Sequence, residues 1–219
     1  MPTSTANVMT RVLFIKASPR GQASASTAIA QAYLTALQTQ RSDIDIDELD
    51  LWTTHLPVFD GDKVGAKMKV LGQAEQSVAE RSAWDEVMDV AQRFVAADHY
   101  LISTPMWNGG IPYRMKHFID LVHQPGVTFG LTAESGYFGL LKGKRATLIV
   151  TAGAFSPDFP SPQFGVDHQS TYLEAWLNQA GVTDIDIVRF QPSLLTANPE
   201  GDLRRAKEEA IHLATHWRP

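Results

Sequence analysis

"RVLFIKASPRGQASAST", residues 11–27, runs from an apolar stretch through a polar loop into the start of a helical pattern. The apolar part, "RVLFIKA" (11–17), has no polar alternation, which suits a strand covered on both faces. The helical pattern that follows covers about 25–40. A strand that passes through a short loop into a helix is the first half of a crossover unit, and crossover units build parallel sheets.

Four more segments read as strands: "DIDIDELDL" (43–51), "HYLIST" (99–104), "RATLIVT" (145–151) and "DIDIVRF" (184–190). The alternating "DIDIDELDL" suits a sheet edge. Helical patterns over 75–97, 112–123, 168–180 and 201–216 interleave with them. Strict alternation of strand and helix predicts a three-layer α/β sandwich with right-handed crossovers. Five strands and five helices match a flavodoxin-like fold with a five-stranded parallel sheet in the order 2-1-3-4-5, where ligands bind beyond the carboxyl ends of the strands, near the switch between strands 1 and 3. The loops after strands 1, 3 and 4 are then expected to be spatial neighbours.

The chain has 219 residues, 44% hydrophobic and 20% charged, with a formal net charge of -5. One domain, 11–219, accounts for this length, preceded by a flexible leader, 1–10, in which Met9 is an alternative start. With no cysteine, disulfides and thiolate sites are ruled out. The net charge is negative and no Lys/Arg stripe forms, which argues against nucleic acid as a partner. No apolar run approaches the ~20 residues that span a bilayer, so no membrane partner is expected and the location is expected to be cytoplasmic. The seven histidines show no ligand spacing with carboxylates, and no metal is expected.

The first of the three loops holds Ser18, Arg20, Gly21, Ser24, Ala25 and Ser26. Hydroxyls and backbone N–H groups at a helix N-terminus make a cradle for an anion such as a phosphate monoester, and Arg20 could sit beside it or at its rim. The plainer reading is that Ser24 or Ser26 only caps the helix. The second loop, "TPMWNGGIP" (104–112), places Pro105, Met106, Trp107, Asn108, Gly109 and Gly110 at the end of the central strand. Glycines there would let backbone approach a flat ligand; the alternative is a plain turn with Trp107 in the core. The third loop, from "TAGAF" (151–155) to about Asp167, is long and aperiodic. Such loops are often functional: Thr151 and Gly153 could flank a planar ring, and Phe155, Phe159 and Phe164 could wall a pocket or a dimer surface. His168 reads as a proton donor to substrate or as a surface histidine.

Dinucleotide and Walker glycine motifs are absent after the first strand, and no Gly-x-Ser-x-Gly elbow exists. A monophosphate attached to a flat ring remains, and FMN meets the demands of all three loops. The motifs "KASPRG" (16–21) with "SAS" (24–26), "PMWNGGIPYRMKHFIDLV" (105–122), "GVTFGLT" (126–132) with "GLLKGKRA" (139–146), and "VTAGA" (150–154) resemble the FMN-dependent NADH:quinone oxidoreductases, also called FMN-dependent azoreductases, over nearly the whole chain.

The resemblance implies that Ser18, Ser24, Ala25 and Ser26 hold the FMN phosphate. It implies that Met106, Trp107, Asn108 and Gly109 line the isoalloxazine while Thr151, Ala152, Gly153 and Ala154 close its other edge. It implies a homodimer with shared active sites, NADH or NADPH as donor, and two-electron ping-pong reduction of quinones and azo compounds. In that cycle hydride passes through flavin N5, near the Asn108 backbone, and no side chain is required as catalyst. Trp107, Gly109, "TAGA" and Leu131 depart from the family's frequent residues; Gly109 and Leu131 would open the substrate pocket, with Phe155 and Phe164 among its walls, and Trp107 would fill part of it. The alternative is a flavodoxin-like electron carrier without turnover of its own.

Overall fold

A computed structural model describes residues 9–217. It contains seven strands: β1 (Thr10–Lys16), β2 (Ile44–Asp50), β3 (His99–Pro105), β4 (Phe129–Thr132), β5 (Gly136–Gly139), β6 (Arg145–Thr151) and β7 (Asp184–Phe190). The five expected strands form one parallel sheet in the order β2-β1-β3-β6-β7, while β4 and β5 pair only with each other. Counting the sheet's own strands, this is the order 2-1-3-4-5, with the alternating β2 at one edge.

The helices are α1 (Ala25–Gln40), α2 (Gly61–Leu71), α3 (Val78–Val95), α4 (Tyr113–Val122), α5 (Ser170–Ala180) and α6 (Pro199–Thr215). Successive side chains of a strand face opposite ways. Val12 and Phe14 therefore pack under α1 and α6 with Ile29, Tyr33 and Ala210. Leu13 and Ile15 pack on the other face with Phe94, Phe118 and Leu173 from α3, α4 and α5. Two apolar layers thus enclose the sheet, and the carboxyl ends of its strands are left to the loops.

Three elements differ from the sequence expectation. α2 was not foreseen, because Gly61 and Gly65 lower its helix propensity; Asp60 starts it by accepting from Lys63 N at 3.2 Å. α3 begins at Val78 rather than 75, where Ser77 and Glu80 close a reciprocal capping box. The β4–β5 hairpin was likewise unforeseen. Its Gly139 lies against the end of α5 so closely that a Cβ there would stand 2.1 Å from Gly181 N. β1 starts at Thr10, one residue inside the expected leader, and residues 1–8 of that leader lie outside the described residues. Among the described residues no helix is long and apolar enough to cross a membrane.

Candidate functional site

The first loop leaves β1 at Ala17, whose N–H donates to the Ser103 carbonyl at 2.9 Å. Ser18 follows, buried, and accepts from the Arg20 N–H at 3.4 Å. A single 3-10 turn, Gly21–Ala23, then delivers the chain to α1, helped by the positive φ of Gly21. Ser24 is the N-cap: its Oγ accepts from Thr27 N at 3.3 Å. Ser24 Oγ and Ser26 Oγ lie 3.1 Å apart, and both side chains are buried. Only one of these two hydroxyls can donate to the other, so one O–H is left over, and Ser18 has another. Among the described residues neither meets an acceptor. The capping reading is right for Ser24, and the remaining hydroxyl protons are free to donate to an anion at the helix N-terminus.

The second loop turns at once. Met106 N donates to the Thr151 carbonyl at 2.7 Å, and Trp107 and Gly110 exchange both backbone hydrogen bonds at 2.8 and 2.9 Å. The residues between them, Asn108 (φ 51) and Gly109 (φ 84), both have left-handed backbone. This is a two-residue Asn-Gly turn of the I′ kind, which accounts for the Asn and the glycine. Trp107 is not in the core: it is 37% exposed, because the turn holds it over the loop cluster.

The third loop is tied back onto the second. His168 N donates to the Gly109 carbonyl at 3.0 Å, and the buried Gln169 amide donates to the Thr104 carbonyl at 3.0 Å. Asp167 starts α5 by accepting from Ser170 N at 2.8 Å. A fourth segment, after β7, was not anticipated. Ser193 N donates to the Ala152 carbonyl at 2.8 Å and Leu194 N to the Gly153 carbonyl at 2.9 Å, clamping "TAGA" from outside.

These loops enclose a cavity of about 240 Å³ lined by Ser18, Arg20, Ser24, Ala25, Pro105, Met106, Trp107, Thr151, Ala152, Gly153, Ser193 and Leu194. Ten of the expected residues thus meet at one place from three distant parts of the chain. Ser26, Asn108, Gly109 and Ala154 stand next to it in sequence without lining it. Phe155 is buried and Phe164 packs against Phe159 at 4.9 Å between ring centres, so neither walls the cavity. Leu131 is exposed on the β4–β5 hairpin, and His168 is exposed with its ring edge near Gly109. The general rule that ligands gather at the carboxyl edge of the sheet could have pointed to Ser193 and Leu194. No signal in the sequence connected Trp52, which stands behind Trp107 at 5.7 Å between ring centres.

Among the lining residues only Arg20 carries a charge, and none is an acid or a histidine. A larger hollow of about 330 Å³ lies beside it, but its Arg189 is paired with Asp167 at 3.4 Å and its Arg205 with Asp202. The strongly shifted histidine, His99, starts β3 at the opposite end of the sheet. Among the described residues no group of three or more His, Cys, Asp or Glu could hold a metal. The cavity therefore offers a cradle of hydroxyl donors with Arg20 among them and a polarizable Met106–Trp107 wall, with no nucleophile–base pair among its lining residues. It is suited to bind a phosphorylated planar molecule.

A doubly wound sheet with such a cradle at its switch point defines the flavodoxin-like class, and the chain matches the flavodoxin-like fold family over residues 10–213. It is 46% identical over 198 residues to an FMN-dependent NADH:quinone oxidoreductase of Ruegeria pomeroyi, covering 90% of this chain and 97% of that one. It is 42% identical over 207 residues to the protein of that name from Desulfotalea psychrophila, covering 94% and 97%. The solved azoreductase of Bacillus anthracis str. Sterne superposes with a TM-score of 0.86 at 25% identity, covering 95% of this chain and 100% of that one. An FMN-dependent NADH-azoreductase of Bacillus anthracis str. Ames Ancestor, solved in complex with FMN, gives 0.83 at 25% identity over 94% and 98%. The chain belongs to the family of FMN-dependent NADH:quinone oxidoreductases.

Proposed function

We propose that this protein binds FMN in the 240 Å³ cavity and uses it to pass electron pairs from NADH or NADPH to quinones and azo compounds. The observation that carries the reading is the convergence of buried, unspent hydroxyls at the N-terminus of α1 with the Met106–Trp107 wall. Ser18, Ser24 and Ser26, with the Ala25 N–H, would hold the phosphate, the α1 dipole adding to their pull. Arg20, exposed at the rim, would meet the phosphate's outer side. Pro105 to Gly109 would line one edge of the ring, and Thr151 to Ala154 the other. Bound FMN supplies the two-electron chemistry; the chain orients it and shields it from water. The backbone around Asn108, fixed by the turn, would present N–H groups to charge on the ring.

The relatives' donor, NADH, is the first choice here, with NADPH as the second. A reaction fed by these nucleotides belongs in the cytoplasm, where we place the protein. We further propose a homodimer in which the exposed β4–β5 hairpin, carrying Leu131, reaches the other copy's site, since in its own subunit Leu131 lies outside the cavity. The domain would comprise residues 11–219 as one FMN-binding unit. The test is direct: purified protein should be yellow, bind added FMN, and oxidise NADH steadily with benzoquinone. A colourless protein that takes up no FMN would end the proposal. FMN binding without turnover would favour an electron carrier.

A further inference from the structure

Trp52 is the last residue that sequence patterns would have placed in a site, and it touches both halves of this one. It stands in the loop after β2, half-buried. Its indole N–H donates to the Ala17 carbonyl at 3.0 Å. Ala17 is fully buried and directly precedes Ser18; its N–H is already committed to Ser103, so Trp52 supplies the partner for its carbonyl. Between ring centres, the indole also stands 5.7 Å from Trp107, tilted to it by 49°, and 5.4 Å from Tyr113 in a T-shaped pair. The loop itself is anchored from α4. Arg114 donates to the Leu51 carbonyl at 2.7 Å and to the Thr54 carbonyl at 2.9 Å, and His117 Nε2 donates to the Pro57 carbonyl at 2.8 Å.

We propose that Trp52 is a positioning residue that couples the anion loop to the ring wall, its N–H setting Ser18 and its ring face setting the tilt of Trp107 and hence which acceptors fit. The inference rests on the FMN reading given above. One side chain thereby holds the two subsites at a fixed separation, and its two functions sit on different atoms. They can be removed one at a time. Trp52→Phe keeps a ring against Trp107 and deletes the N–H. Trp52→Gln deletes the ring and keeps an N–H donor the same number of bonds from Cβ.

The test uses the FMN-loaded protein and reads FMN affinity, KM and kcat for benzoquinone and for a bulkier naphthoquinone, and Tm. Trp52→Phe should weaken FMN about threefold to tenfold, the effect of one hydrogen bond, and leave the ratio of the two KM values unchanged. Trp52→Gln should keep FMN affinity near the parent's and shift the KM ratio by roughly threefold or more, with kcat for benzoquinone little altered. If both variants change FMN affinity and the KM ratio together, in step with Tm, the role is merely structural and the proposal falls. It also falls if Trp52→Phe binds FMN as the parent does, a result that decides even when the glutamine variant fails to fold. A parent that takes up no FMN or oxidises no NADH would instead overturn the function.

Discussion

At the amino end of β3, His99 is wholly buried and both ring nitrogens are engaged. Nδ1 accepts from the Trp217 indole N–H at 3.2 Å, while Nε2 meets Thr147 Oγ1 at 3.2 Å and Tyr33 OH at 3.4 Å. Because an indole N–H can only donate, Nδ1 must accept and Nε2 must carry the proton. At the carboxyl end of the sheet, Ser18, Ser24 and Ser26 are just as buried, yet two of their hydroxyl protons find no acceptor among the described residues. Buried polar groups are costly unless paired. One end pairs its polar groups fully within the chain; the other keeps hydroxyl protons free, as the proposed FMN site requires. The contrast is between a group spent on the fold and groups available to bind.

The sharpest way to break this contrast is to empty the cradle. Replacing Ser18, Ser24 and Ser26 together by Ala should weaken FMN by ~3–6 kcal/mol, two hydrogen bonds to a charged group, read by fluorescence titration. Ser24 alone should also lower the unfolding free energy by ~1 kcal/mol through its lost cap. FMN affinity equal to the parent's would remove the serines from the site.

Emptying the other end should show the reverse pattern. His99→Leu strips partners from Tyr33, Thr147 and Trp217 and should cost ~2–4 kcal/mol in urea denaturation, while FMN affinity stays within about twofold. A large loss of FMN binding in this variant at full folding would mean that the two ends are not independent.

Acid provides a third probe. Burial, with the nearby Arg145 charge adding to it, holds His99 down at about 3 against 6.5 for an exposed histidine. Between those values the unfolded chain binds a proton that the folded chain does not, so stability must fall as pH drops below ~6.5, by ~1.4 kcal/mol per unit. By pH 5 the loss from this one residue is ~2 kcal/mol. His99→Gln should flatten that part of the stability profile, and an unchanged slope would deny His99 the role.

The smallest expected effect is at the turn. Gly109→Ala forces an alanine to φ 84 and should cost ~1–2 kcal/mol, although the space there is ordinary, with Val166 O at 3.6 Å from the added Cβ. Stability measured by denaturation at neutral pH would check this; no loss would mean that the turn reshapes.

Local chemistry made much of this legible. The strand segments, the edge character of "DIDIDELDL" and the serine cluster can be read without coordinates because each is a property of neighbouring residues. The capping box at Ser77–Glu80 was equally local and would have placed the start of α3 correctly. α2 was hidden by its glycines, and the hairpin by glycines that weaken strand patterning while serving close contact with α5. Gly109 and Gly110 read as room for a flat ligand; the left-handed backbone of the turn accounts in addition for Asn108 and Gly109.

The sequence by itself determined the order of the five sheet strands, the doubly wound class, and which loops carry hydroxyls, aromatics and glycines, since periodicity and composition act over a few residues. Only the tertiary structure decided that Ser193 and Leu194 close the cavity, that Phe155 and Phe164 turn away from it, and that Trp52 joins Ala17 to Trp107. Those are contacts between side chains and backbone tens of residues apart. Their partners are chosen by how the sheet twists and the loops pack, and no local pattern encodes that choice.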